Sequence, residues 1–247
     1  MKKTLSIVIF ALLFAAGPLM AQKQLYFGVG GTGLTSYITS VNNYGLRFMD
    51  YKQTSFGGKG NVNIGFDFSK HAGLKIEIGY GKLGQDLTKD YNVTPDSVFD
   101  RSIKLNYLQI PVLFKFRSGG EVARLYLLVG PQFNLLMSGK QTYTLNGSPF
   151  TTKSLTNLAG TSFIVGAEDI KERYSSLDIM ARFDLGVEIS LSKSLLLNAG
   201  LSLGYGLLDI NATDWRMNNH DGNYNASHTI YGGINVGLNY VLPIGSK

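Results

Sequence analysis

The chain contains no cysteine. Its absence excludes disulfides, zinc–thiolate sites, cysteine nucleophiles and a lipid anchor on an N-terminal cysteine. Charge is scarce as well. Asp, Glu, Lys and Arg make up 16% of the 247 residues, and the formal net charge is +6. The basic residues are scattered, so nucleic acid is not an expected partner. Three histidines leave few candidates for imidazole acid–base chemistry. Helical periodicity is missing beyond the N-terminal segment. Glycine is abundant, but without a collagen repeat and with only six prolines it signals neither fibre nor disorder. The one long apolar run, residues 5–16, falls short of the ~20 residues that a membrane-spanning helix needs. It follows Lys2 and Lys3 and leads to Ala21, the pattern of a cleaved signal peptide over residues 1–21. Residues 22–247 then form one domain by length.

What the chain has in quantity is alternation. Between residues 102 and 140, two apolar-rich arms flank a polar link, Arg117-Ser118-Gly119-Gly120-Glu121. In the first arm Leu108, Ile110, Val112, Phe114 and Phe116 share one face, with Tyr107, Gln109, Pro111, Leu113 and Lys115 opposite. In the second, Leu125, Leu127, Val129, Pro131, Phe133 and Leu135 oppose Arg124, Tyr126, Gly130, Gln132 and Asn134. Period two across a glycine-rich link predicts a hairpin. Further strands are predicted over 25–38, 60–68, 72–83, 177–190, 195–207 and 229–242. Short links near 69–71, 117–121 and 191–193 alternate with long ones near 39–59, 85–101, 140–176 and 209–227. That rhythm is the pattern of an outer-membrane barrel with short periplasmic turns and longer extracellular loops. The expected fold is all-β: an eight-stranded antiparallel up-and-down transmembrane β-barrel. A ten-stranded barrel results if 160–167, together with 142–145, supplies further wall. A soluble, lipocalin-like barrel would reverse the two faces. Its solvated face would here be rich in Gly, Asn and Ser and poor in charge, which disfavours it.

The hairpin also carries a resemblance. Tyr107-Leu108-Gln109-Ile110-Pro111, then Leu113 and Lys115, then Gly130-Pro131 before an apolar run, resembles the central hairpin of the PorT-like outer-membrane β-barrel families. The resemblance implies a small barrel of the bacterial outer membrane, reached by signal-peptide export. Some members of those families are linked to protein secretion across that membrane. The expected partners are outer-membrane lipid and lipopolysaccharide, the barrel-assembly machinery during insertion, and a protein partner of unknown identity.

An eight-stranded lumen is narrow enough to be filled by side chains. The inward set is expected to hold Asp67, Glu77, Asp184 and Glu188 with Lys75, Lys104, Lys115, Arg124 and Arg182 as a structural charge network. Opposite charges there should pair, because a lone buried charge is costly. The expectation is therefore a non-enzymatic, side-chain-filled barrel without cofactor or metal, with a structural or interaction role. The alternatives are a small porin-like channel and, third, a lipid-modifying enzyme on the rim. The last would draw on His220 and His228 near Asp214, Asp221 and Ser227, and a metal site would use His220, Asp221 and His228. Gly28, Gly30, Gly31 and Gly33 do not open a helix, so a nucleotide loop is not expected. Aromatics such as Tyr44, Tyr143, Tyr174, Trp215 and Tyr224 fall in the long connections, where they pack the loops or meet ligands.

Overall fold

The computed structural model describes residues 23–39, 51–91, 97–149, 153–156, 162–165, 168–216, 218 and 222–244. The expected signal segment, 1–21, lies outside the described residues. Eight long strands form the wall: β1 (Lys23–Ile38), β2 (Tyr51–Asp67), β3 (Ala72–Tyr91), β4 (Ser97–Arg117), β5 (Ala123–Leu145), β6 (Leu177–Ser192), β7 (Leu195–Gly206) and β8 (Thr229–Ile244). Each pairs antiparallel with its neighbours in sequence, and β8 pairs with β1, so the sheet closes on itself. Closure leaves no free edge among these strands.

Each short turn is held by a serine. Ser69 Oγ accepts from the amides of His71 and Ala72, at 3.2 and 2.9 Å. Ser118 Oγ accepts from the Leu125 amide at 2.9 Å, and Ser192 Oγ from the Ser194 amide at 3.3 Å. A short hydroxyl beside a turn captures amides that the ladder has released.

The ten-stranded alternative is not what forms. Lys153–Thr156 and Ser162–Val165 pair with each other in a separate two-stranded sheet. Ser148–Pro149 folds back on the end of β5 through Asn146 and Gly147, both at positive φ. That is the Asn-Gly pairing that a tight two-residue hairpin turn demands. The long connections are also shorter than alternation suggests. Residues 85–101, read from the sequence as a loop, are largely strand: β3 runs on to Tyr91 and pairs with β4 as far back as Ser97. Likewise β2 begins at Tyr51 and β5 continues to Leu145.

The reason lies in what the wall faces. Near the short turns, apolar side chains point out and polar ones point in. Val62, Ile64, Phe66, Ile78, Phe114, Phe116, Leu185 and Leu201 are exposed, while Asn63, Asp67, Lys75, Glu77, Lys115 and Asp184 are buried. Phe27, Phe66, Phe68, Phe114, Phe116 and Tyr240 ring the lower edge of this belt, and Phe56, Tyr80 and Tyr205 its upper edge. From Phe66 to Phe56 is ~34 Å of strand at ~3.4 Å per residue, or ~25 Å in height at a barrel's usual tilt. That is the height of a lipid-facing belt.

Above the upper rim the pattern inverts. On β3 the outward positions change from Ile78 and Tyr80 to Lys82, Asp86 and Thr88, while Leu83 and Leu87 turn inward, wholly buried. On β4 they change from Ile110 and Leu108 to Asn106, Lys104 and Ser102, with Leu105 and Ile103 inward. On β5 the register shifts at Met137, so that even-numbered residues face inward as far as Leu136 and odd-numbered ones from Gly139. Above the rim the outside is water, and the rule of a soluble β-structure applies. Outer-face pairs there are polar: Ser102 Oγ donates to Asp86 at 2.6 Å, and Asn106 Nδ2 to Ser138 Oγ at 2.9 Å.

Candidate functional site

The site with the most chemistry is the lumen, and it has three tiers. The lowest, beside the short turns, is an ion cluster. Lys115 Nζ lies 2.6 Å from Glu188 and 3.5 Å from Asp67. Arg117 Nη1 reaches both acids, at 2.8 Å from Asp67 and 3.2 Å from Glu188, and Arg124 approaches Glu188 at 3.3 Å. Lys115 also sits over the Tyr26 ring, 4.6 Å from its centroid. Tyr26 can lie across the lumen because its cross-strand partner is Gly65; a Cβ there would stand 2.1 Å from the phenol ring. Tyr231 lies over Gly204 in the same way. An aromatic covering a cross-strand glycine restores the packing that the glycine forgoes.

The middle tier is a second ion cluster. Arg182 bonds to Glu77 at 2.7 Å and to Asp184 at 2.6 Å. Lys75 and Lys59 flank the same Glu77, at 2.8 and 3.7 Å. All five side chains are buried. Beside them is a cavity of about 20 Å³, room for roughly one water. Buried ion pairs return little net stability over an apolar core, but removing one partner costs ~3–5 kcal/mol.

The upper tier is apolar. Leu34, Leu83, Leu87, Ile103, Leu105, Tyr107, Leu136 and Met180 from the wall pack with Ile170, Tyr174 and Ile210 from the long connections. The first of these connections is anchored on the wall by the backbone bond from Ile170 N to Gly139 O at 2.9 Å, and the two connections are tied to each other by Ser175 N to Ile210 O at 2.7 Å. Among the polar groups entering this tier, Gln85 accepts the Ile38 amide at 2.8 Å, Arg101 Nε donates to Gln141 at 2.6 Å, and Tyr231 donates to Gln132 at 3.1 Å, while the buried Tyr107 hydroxyl has no partner among the described residues.

Of the inward residues expected from sequence, Asp67, Lys115, Arg124 and Glu188 meet in the lower cluster, and Lys75, Glu77, Arg182 and Asp184 in the middle one. Lys104 does not join them. It is exposed on the outer face of β4, above the rim, where the inward side is apolar. Reading polar as inward along the whole strand fails above the rim. Lys59 and Arg117 belong to the clusters although the sequence reading does not include them. Lys59 sits among the glycines of β2, and Arg117 reads as part of the turn, although it continues the odd-numbered inward set of β4. Of the hairpin motif, Tyr107 is buried in the apolar tier and Lys115 in the lower cluster. Leu108, Ile110 and Pro111 continue the strand between them. Gly130 lets β5 approach β4 closely, since a Cβ there would stand 2.1 Å from the Val112 carbonyl, and Pro131 follows on the outer face.

The histidines form no catalytic group among the described residues. His220 and Asp221 lie outside them. His228 stacks on Tyr205 at 5.9 Å, and its amide donates to Thr39 Oγ1 at 3.1 Å. Ser227 Oγ accepts from Asn211 at 2.8 Å, within a node centred on Asp209 rather than on His228. Asp209 accepts from Tyr224 at 2.5 Å and the Ser227 amide at 3.0 Å, and pairs with Arg216 at 2.9 Å. Burial, with the bond to Asp209, pushes the Tyr224 phenol up from 10.0 to about 12. The node ties the last long connection into one piece. Gly28, Gly30, Gly31 and Gly33 are all in strand β1.

Residues 20–212 match the family model described as "Outer membrane protein beta-barrel domain". No curated protein sequence matches. Among solved structures, the chain is similar to Neisserial surface protein A, with 11% identity, 87% of this chain and 96% of that one covered, and a TM-score of 0.40. It is similar to the outer membrane protein OprG from Pseudomonas aeruginosa (10% identity, 91% and 97% covered, TM-score 0.41). A major outer membrane protein from Thermus thermophilus is a third (14% identity, 89% and 99% covered, TM-score 0.41). With the family model spanning most of the closed wall, the chain belongs to the outer membrane protein β-barrel domain family, and the membrane its apolar belt crosses is the bacterial outer membrane.

Proposed function

We propose that the barrel is a non-enzymatic scaffold that holds a water-exposed platform above the outer membrane and serves as an interaction partner there. The observation that carries this reading is the double closure of the lumen, by two ion clusters below and an apolar core above. A conducting pore needs a continuous wet path, and an apolar plug offers none. Beyond the rim, β3 and β4 extend by ~27 Å of strand at ~3.4 Å per residue, which stiffens the platform. The resemblance of the 107–131 hairpin to PorT-like barrels makes protein secretion or envelope assembly the process in which such a platform would act. No described residue cluster supports the rim-enzyme alternative.

Planar-bilayer recording of the purified barrel tests the closure: it should be silent, and a steady ion-selective conductance would replace the scaffold reading with a channel. Cross-linking in native outer membranes tests the platform. A cross-linker on the upper outer face, at Lys104 or Asp86, should capture a protein partner reproducibly, whereas one at the short turns should not capture the same partner.

A further inference from the structure

The short-turn mouth of the barrel is a pocket of about 420 Å³, lined by Gln24, Lys70, Arg117, Ser118, Glu121 and Arg124, among others. That volume falls within the ~300–1,000 Å³ typical of small-ligand sites, and barrel mouths are favoured positions for them. Its floor is the lower ion cluster, where, among the described residues, three cations, Lys115, Arg117 and Arg124, meet two acids, Asp67 and Glu188. Lys70 on the rim is exposed and adds a fourth positive charge. Arg124 is only partly engaged: Nη2 binds Glu188 and Ser190, while Nε is buried with no acceptor. Arg117 is fixed by its bonds to both acids and by donating Nε to the Lys70 carbonyl at 2.8 Å. Pocket and cluster together therefore hold more positive than negative charge, and Lys115, Arg117 and Arg124 are held by ion pairs before any ligand arrives.

We infer that this mouth binds a net-anionic ligand carrying free carboxylates and an amino group, of the size of a short acidic peptide. A guanidinium with unused donors is suited to a carboxylate. Lys70 supplies a second cation, and Glu121, the acid among the lining residues, meets the ligand's ammonium. Gln24 and Ser118 offer neutral hydrogen bonds. The inference goes beyond the scaffold reading and does not depend on a silent lumen, because the pocket is open at its own end.

Isothermal titration of the full barrel in detergent tests it, with the dipeptide Glu-Glu, its N-acetyl form and inorganic phosphate as probes. Glu-Glu should bind saturably below about 10 mM and weaken with salt. Lys70→Gln and Arg124→Gln should each weaken it by on the order of tenfold. Glu121→Gln should weaken Glu-Glu but leave the N-acetyl form unchanged. Arg117 is left intact because it holds both acids, and far-UV circular dichroism verifies that each variant is folded. Absence of saturable binding, or equal binding by the wild type and both cation variants, would overturn the site. Binding of phosphate with no response to Glu-Glu would overturn the peptide assignment. A conducting barrel that still bound Glu-Glu would refute the scaffold reading and leave this one standing.

Discussion

The lower and upper halves of the lumen exclude water by opposite means. Below the rim the wall is apolar outside and charged within, and the interior is closed by ion pairs. Above it the wall is polar outside and apolar within, and the interior is closed like a soluble core. The strands run through both halves without interruption, so the difference does not come from secondary structure. It comes from what lies outside: lipid must meet apolar side chains, which leaves the polar ones to fill the lumen, while water permits the reverse. The two halves should accordingly fail in different ways. Charge removal should damage the lower half most, and loss of volume the upper.

The largest effect is expected at Glu188. Glu188→Ala leaves Lys115, Arg117 and Arg124 around a single acid, Asp67. Urea titration in liposomes should show a loss of ~3–5 kcal/mol. Leu185→Arg, on the lipid face of β6, should cost ~2–4 kcal/mol in the same assay. Asp184→Asn beside it should cost less, since the amide fills the same space. If Asp184→Asn were far worse than Leu185→Arg, the inside–outside assignment of the lower half would be reversed. Ile103→Val trims one methylene from the upper core and should cost ~0.5–1.5 kcal/mol. Its effect should appear as faster hydrogen exchange at the Ile170 and Ser175 amides rather than in the lower half. Lys104→Leu, on the water-facing side of the same strand, should stay within ~0.5 kcal/mol; a cost like that of Leu185→Arg would place residue 104 inside.

The smallest expected effect is one of pH, at the Asp209 node. Tyr224 keeps its proton in the folded loop up to about 12, against 10.0 ordinarily. Below pH 10.0 the phenol is protonated in both states, so its contribution is whole. Between 10.0 and about 12 the unfolded loop loses the proton first, and the contribution falls as pH rises. Exchange at the Ser227 amide should quicken over that window beyond its intrinsic base catalysis, and Tyr224→Phe should abolish the excess.

The strand count, the short-turn ends and the inward register of the lower half could be read from sequence because period two is unbroken there. Arg182, Asp184 and Glu188 on β6 alternate with Phe183, Leu185 and Val187 without exception. The upper half could not be read by the same rule. At Lys82 on β3 and Asn106 on β4 the hydrophobic phase reverses while the strand continues, and a phase reversal looks like a loop. Met137 adds a bulge that shifts the parity of β5, and only the pairing with β4 reveals it. Arg117 was within reach, since it extends the odd-numbered set of Gln109, Leu113 and Lys115. The way the ions divide into two clusters was not, because it depends on register between strands far apart in sequence: Lys115 and Glu188 are brought together by β4, β5 and β6.

The inversion at the rim can be tested directly because the native chain has no cysteine to give background. Single cysteines at residues 103, 104, 109 and 110 sample both faces of β4 on both sides of the rim. A membrane-impermeant maleimide added to the barrel in liposomes should label Lys104→Cys readily. It should leave Ile103→Cys, Gln109→Cys and Ile110→Cys unlabelled, the first two shielded by the filled lumen and the last by lipid. Labelling of Ile103→Cys as fast as Lys104→Cys would mean a wet upper lumen, and the account of a barrel closed by two opposite interiors would be wrong.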